Sequence, residues 1–376
     1  MTTERSSLDD PLFRPLQVGA LAVPHRVWMA PLTRLRCLEP GDLPIPLMAE
    51  HYAQRAGAGL IVSEATHISP QAKGYAGAPG IYSDAQVRAW QPVTAAVHAV
   101  GGRIACQLWH VGRISHSSLQ PAGLPPVGPS VLPTQARTSL RDAQGRPMRT
   151  LCSPARALEV SELPGIVDAY AAATRRARAA GFDAVEIHGA NGYLLHQFLA
   201  AASNRRTDAY GGPIAARMRL LLEVVDACAD TWSADRVGLR VSFGASSSPE
   251  LADDAPEANA LTVARALAPR GLAYLHLSEP DWTGSGEGLA PAFRHALREA
   301  YPGVLVGAGR YTAERAREAL RQGWLDAVAF GRAYIANPDL PERFRHGAPL
   351  NEPDATTFYG GGAEGYTDYP VWNAVS

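Results

Sequence analysis

Short apolar runs, each followed by a helix-like segment, recur along this chain, and that alternation constrains its fold more than any single residue does. The runs are 27–30, 60–62, 103–108, 184–188, 237–241, 273–277, 304–307 and 327–331. Between them lie Ala- and Arg-rich stretches such as 162–180, 215–232 and 312–322, whose apolar residues are spaced by three and four as on one helix face. Strand-then-helix repetition buries both faces of a parallel sheet. Eight such units in 376 residues predict the α/β class and a (β/α)8 TIM barrel, with a doubly wound open sheet as the alternative. The rhythm stops once. From His110 to about Glu159 the chain is rich in Pro, Gly, Ser and Thr and shows no helical period. Loops of that length are uncommon unless they act as lids or binding loops, so the segment is read as an insertion after strand 3 that caps the barrel mouth, against the plainer reading of a surface excursion. No composition shift marks a second domain, and residues 1–376 are expected to form one.

Charge narrows the partners. With 35 basic against 36 acidic residues the chain lacks the positive field of a nucleic-acid or anionic-membrane binder, which leaves small molecules. The basic residues are 34 Arg and one Lys, Lys73, so any Schiff-base chemistry would have to use Lys73. The arginine surplus is expected mostly on helix surfaces. Cys37, Cys106, Cys152 and Cys228 form no C-x-x-C pair and read as reduced, largely buried thiols. No basic n-region precedes an apolar stretch at the start, and no run of 18 apolar residues occurs, so a cytoplasmic protein is expected.

In a barrel, chemistry gathers where strands end. The predicted strand ends carry Pro31-Leu32-Thr33-Arg34, Gln107 with Trp109, His188-Gly189-Ala190-Asn191-Gly192-Tyr193, Arg240, Gly309-Arg310 and Gly331-Arg332. Glycine-rich turns after the last two strands can offer backbone N–H groups to a phosphate, and the arginines add charge; isolated glycines also serve ordinary tight turns. Gly307-Ala308-Gly309 comes too late in the chain, and lacks the third glycine, for the dinucleotide fingerprint. His188 and Asn191 can aim two donors at one carbonyl oxygen, and the Tyr193 phenol is protonated at neutral pH and can act as a general acid. Each alone has a structural explanation, a hydrogen-bonded core histidine or an Asn-Gly turn, and it is the clustering that points to function. No ligand spacing such as H-E-x-x-H accompanies His188, so no metal is expected.

These motifs resemble the old yellow enzyme family of FMN-dependent ene-reductases over nearly the whole chain, in its classical branch and nearest the N-ethylmaleimide reductase and pentaerythritol tetranitrate reductase group. The resembling stretches include 29–36, Gln71-Ala-Lys-Gly-Tyr-Ala-Gly-Ala-Pro79, Gln107-Leu-Trp-His-Val-Gly-Arg-Ile-Ser115, 188–198, 204–212, Ser278-Glu-Pro-Asp-Trp282, Phe330-Gly-Arg332 and 358–370. The resemblance implies a single FMN-binding barrel and a ping-pong reaction. NADPH or NADH reduces FMN, and an enone, maleimide or nitro compound then accepts hydride from flavin N5. Pro31, Leu32, Thr33 and Ala65 would line the flavin, Gln107 and Arg240 would hold its pyrimidine edge, and Gly309, Arg310, Gly331 and Arg332 its phosphate. His188 and Asn191 would bind the substrate oxygen and Tyr193 would deliver the proton, with Tyr75, Trp109, Trp282 and Tyr359 as aromatic walls. A monomer or homodimer is expected. The chain departs from the family group at Phe243, where proline is usual after Arg-Val-Ser, and in the loop 244–249, which bears on substrate preference and not on the flavin site.

Overall fold

Each of the eight apolar runs becomes a strand: β1 (Val27–Met29), β2 (Ile61–Val62), β3 (Ile104–Trp109), β4 (Ala184–Gly189), β5 (Val237–Val241), β6 (Tyr274–Ser278), β7 (Leu305–Ala308) and β8 (Ala327–Phe330). All pair in parallel with their chain neighbours, and β8 pairs back onto β1 with Val328 opposite Val27, which closes the barrel. Every residue in these strands is buried, which is why they read as continuous apolar runs without alternation. The computed structural model describes residues 10–243, 248–283 and 288–373, apart from the side chains of Trp282 and Thr283.

Around the strands lie α1 (Pro46–Gln54), α2 (Asp84–Ala99), α3 (Leu163–Ala179), α4 (Arg219–Thr231), α5 (Pro256–Leu267), α6 (Pro291–Ala300), α7 (Ala313–Arg321) and α8 (Leu340–His346). Their inner faces follow the three–four spacing: α3 buries Leu163, Ile166, Tyr170, Ala173 and Ala177. Ser83 starts α2 with a capping box, its hydroxyl accepting from the Gln86 N–H while the Gln86 side chain accepts from the Ser83 N–H. The stretch 215–232, read as one helix, divides into Ile214–Arg217 and α4 at Met218, beside Arg217, whose guanidinium is tied to Asp253 at 2.7 Å.

An N-terminal hairpin, Leu16–Val18 with Leu21–Val23, packs Val18, Leu21 and Val23 among Trp28, Ala105, Ala184, Tyr274 and Ala327 and so plugs the end of the barrel opposite the strand ends. The insertion is not structureless. It holds an antiparallel hairpin, Arg137–Arg141 with Pro147–Leu151, and a short parallel pair, Val127–Gly128 with Arg156–Ala157. Its outer strand is almost wholly exposed, so no apolar alternation announces it. The hairpin docks on the loop after β2: Ala76 N–H donates to the Ser139 carbonyl at 2.9 Å and the Thr138 hydroxyl to the Gly74 carbonyl.

Eight of the arginines depart from a surface placement. Arg34, Arg36, Arg55, Arg113, Arg217, Arg240, Arg294 and Arg343 are all buried. A guanidinium carries five donors in a rigid fork and can satisfy several carbonyls at once, as Arg55 does with the carbonyls of His51, Tyr334 and Ile335. Lys73 bridges Glu39 at 2.6 Å and Asp42 at 2.5 Å, a structural tie between the loops after β1 and β2. Among the described residues the four cysteines are free, with only Cys152 partly exposed.

Candidate active site

Residues two apart on a strand share a face, and on four adjacent strands that rule turns pairs of polar or aromatic side chains into the barrel: Gln107 and Trp109, Glu186 and His188, Arg240 and Ser242, His276 and Ser278. The deeper tier is centred on Glu186. Glu186, fully buried, accepts from Gln107 Nε2 at 2.7 Å and from His276 Nδ1 at 2.8 Å. Burial raises the Glu186 carboxyl, but His276 first, then Arg240 and Gln107, outweigh it and hold the group below its usual range. Arg240 is 8% exposed; its Nε has no partner, and its Nη2 donates to Ser278 Oγ at 3.5 Å.

Above this tier stands the loop that leaves β4. Asn191 and Gly192 both take positive φ, 56° and 82°, a turn open to asparagine and glycine and costly for other side chains. The turn sends Tyr193 back over the barrel, where its ring lies edge-on to Trp109 at 4.8 Å and to His188 at 4.9 Å, and its hydroxyl is 3.3 Å from that of Tyr75. Tyr75 and His67 stack on Trp109 at 5.2 and 5.0 Å. Burial, followed by the facing Tyr75, raises the Tyr193 phenol well above its ordinary value and keeps it protonated. Burial, then Arg240 and His276, pushes His188 well below 6.5. The Ala190 N–H donates to His188 Nδ1 at 3.3 Å, so in the neutral ring Nε2 carries the proton and is a donor. Asn191 Oδ1 accepts from the Ser278 hydroxyl at 2.8 Å and from Ser242 at 3.3 Å.

The other predicted residues surround this cluster. Pro31, Leu32 and Thr33 follow β1 and are half-buried, while Ala65 follows β2 and is buried. A Cβ on Gly331 would stand 3.4 Å from Leu32, so the loops after β8 and β1 meet. β7 and β8 run side by side, Gly307 opposite Val328, which sets Gly309-Arg310 next to Gly331-Arg332. Tyr359 is 55% exposed and belongs to the rim, not to the packed aromatic group. Trp282 lies in the turn Pro280–Thr283 after β6, but its side chain is outside the described residues, as is the loop 244–247. Sequence reading missed Glu186, His276, Ser242 and Ser278; the signal was there in their two-residue spacing from Gln107-facing and pocket-facing partners on buried strands.

These residues fit a flavin mononucleotide. A buried guanidinium with an unpartnered Nε beside a buried amide suits an electron-rich pyrimidine edge, and two adjacent glycine–arginine turns suit a phosphate. Residues 11–351 match the NADH:flavin oxidoreductase / NADH oxidase family. The chain belongs to this family. It is an FMN-dependent oxidoreductase of the old yellow enzyme type. Morphinone reductase, solved in complex with tetrahydroNAD, is 52% identical with a TM-score of 0.91, over 96% of this chain and 98% of that one. The old yellow enzyme homologue from Zymomonas mobilis is 42% identical with a TM-score of 0.89, over 96% and 99%. The 12-oxophytodienoate reductase 2 of Arabidopsis thaliana is 42% identical over 96% of this chain and 95% of its own. In this flavin oxidoreductase no group of three metal-ligating side chains occurs, and no helix is long and apolar enough to cross a membrane, among the described residues.

Proposed function

We propose that this flavin oxidoreductase is an ene-reductase that consumes NADPH or NADH and reduces activated C=C bonds of α,β-unsaturated carbonyl compounds, maleimides and nitroalkenes, with residues 1–376 acting as one FMN-binding domain capped by about 110–159. The observation that carries the reading is the packing of a protonated Tyr193 edge-on against a neutral His188 at the strand end that also carries Asn191, whose Oδ1 is held by Ser242 and Ser278. When bound, FMN would supply two-electron hydride chemistry between the nicotinamide and the alkene.

The chain's own residues do the rest. Gln107 and Arg240 hold the pyrimidine edge, with Glu186 taking one amide hydrogen of Gln107 so that its orientation is set. Pro31, Leu32, Thr33 and Ala65 line the ring, and Gly309, Arg310, Gly331 and Arg332 take the phosphate. His188 and Asn191 donate to the substrate oxygen and draw electron density from the alkene, which stabilises the enolate-like charge that develops there. A neutral histidine serves this role because its donor persists without a charge that substrate binding would have to desolvate. Tyr193 then gives its proton to the α-carbon, and Tyr75, whose hydroxyl is 3.3 Å from the Tyr193 oxygen, helps keep the phenol protonated until that step. Tyr75 and Trp109 form one wall of the pocket; Trp282 and Tyr359 complete it at the rim.

The test is anaerobic: reduce the holoenzyme with NADPH, follow the bleaching of the flavin, then add 2-cyclohexen-1-one. Bleaching followed by reoxidation is expected, and bleached enzyme that the enone leaves unchanged would defeat the ene-reductase reading. Tyr193→Phe should slow reoxidation by at least about tenfold while flavin reduction proceeds; equal loss of both half-reactions would remove Tyr193 as the proton donor.

A further inference from the structure

An asparagine side chain has two nearly isosteric ends, one donating and one accepting, and only the donating end can serve a substrate carbonyl. Backbone geometry does not choose between them, because a half-turn about the last side-chain bond exchanges the two. We propose that Ser242 and Ser278 make that choice: they are positioning residues that hold Asn191 Oδ1 inward and so present Nδ2 to the substrate oxygen. The proposal rests on the reading of Asn191 as a carbonyl-binding residue.

The polarity of the network carries the argument. Arg240 can only donate, and its Nη2 donates to Ser278 Oγ at 3.5 Å. The Asn191 backbone N–H likewise donates to Ser242 Oγ at 3.0 Å. Each serine oxygen therefore already has an incoming donor, and each hydroxyl hydrogen is left to point elsewhere. Both point to Asn191 Oδ1, from Ser278 at 2.8 Å and from Ser242 at 3.3 Å. With the amide reversed, Nδ2 could still reach a second lone pair on each serine, but both hydroxyl hydrogens would lose the acceptor they share, and Oδ1 would face the substrate oxygen, lone pair against lone pair. The serines come from two different strand ends, after β5 and at the end of β6, so the amide is gripped from two sides. Ser278 also links the Asn191 amide to Arg240, so the group that holds the substrate and the group that holds the flavin edge share one hydrogen-bonded chain. Phe243, the residue that departs from the family group, directly follows Ser242 and is buried, which packs this end of the grip into the core.

The experiment measures binding of 2-cyclohexen-1-one to the oxidised holoenzyme through the change in flavin absorbance, together with KM and kcat, in Ser242→Ala, Ser278→Ala and the double variant. Each is made in the wild-type and in the Asn191→Ala background, with FMN content and melting temperature recorded throughout. Ser278→Ala is expected to raise Kd and KM by about tenfold with a smaller change in kcat, Ser242→Ala by less, and Ser278→Thr, which restores the hydroxyl, to recover most of the loss. In the Asn191→Ala background the serine substitutions should have no further effect on enone binding. Wild-type Kd values in both serine variants while Asn191→Ala binds weakly would overturn the proposal and leave the carbonyl-binding reading standing. Full additivity with Asn191→Ala would overturn it too, because the serines would then act by another route. If Asn191→Ala itself binds the enone normally, both the carbonyl-binding reading and the proposal fall. Should one serine variant lose FMN, the other decides, since the two grips are independent.

Discussion

Glu64 and Glu186 are both cut off from water, and their neighbours send them in opposite directions. Glu186 is held ionised by His276, Arg240 and Gln107 against the pull of burial. Glu64 is pushed up to about 7: burial dominates, and the backbone N–H of Arg34 at 3.2 Å with the charges of Arg34 and Arg36 offsets it only in part. Between its ordinary 4.5 and about 7 the native state keeps a proton that the unfolded chain has released, so stability falls as pH rises through that window. The expected difference between wild type and Glu64→Gln is about 3 kcal/mol larger at acid pH, below the window, than above it. Urea unfolding of both proteins on either side of the window checks this, and parallel pH profiles would refute it. Residues like Glu64 are invisible to a reading of motifs. The sequence marks His188, Asn191 and Tyr193 because they crowd one strand end, whereas Glu64 stands alone, and its state depends on which side chains the fold brings over it.

At the level of elements, the strands were legible almost to the residue, because a buried parallel strand must be apolar on both faces and short. Less legible was what each strand contributes inward. Gly238 in β5 illustrates the tolerance inside the barrel: a Cβ there would lie 2.2 Å from the ring of Tyr274 on β6, which itself packs edge-on against Trp28 at 5.2 Å. Gly238→Ala should therefore destabilise by about 1–3 kcal/mol, and combining it with Tyr274→Leu should cost less than the two changes summed. Thermal unfolding of the three variants decides; simple additivity would mean that the two positions do not compete for space. The capping hairpin was legible only as an interruption. Its outer strand exposes all but one of its side chains, and the inner strand is held to the loop carrying Tyr75 by hydrogen bonds, so periodicity had little to register.

For the molecule as a whole, arginine is the device that ties distant parts of the chain together. Arg34, in the loop after β1, donates to the carbonyls of Phe358 and Gly365 at 2.8 Å each and of Thr357 at 3.4 Å, while Arg36 lies 4.3 Å over the Tyr366 ring. Tyr366 in turn stacks on His51 of α1 at 3.8 Å. The C-terminal segment that carries Tyr359 is thus fastened to the first loop of the barrel. Arg34→Met should destabilise by about 3 kcal/mol and open residues 355–370 to proteolysis before the barrel unfolds; cleavage elsewhere first, or unchanged stability, would contradict that role. The sequence by itself determined the barrel, its interruption after β3 and the residue types at the strand ends, because strand and helix periods and the clustering of polar groups are local properties of the chain. Only the tertiary structure decided which arginines are interior clasps, which carboxylate keeps its proton and which hydroxyls grip Asn191. Those outcomes depend on burial and on partners up to hundreds of residues away, and neither quantity is written in any one stretch of sequence.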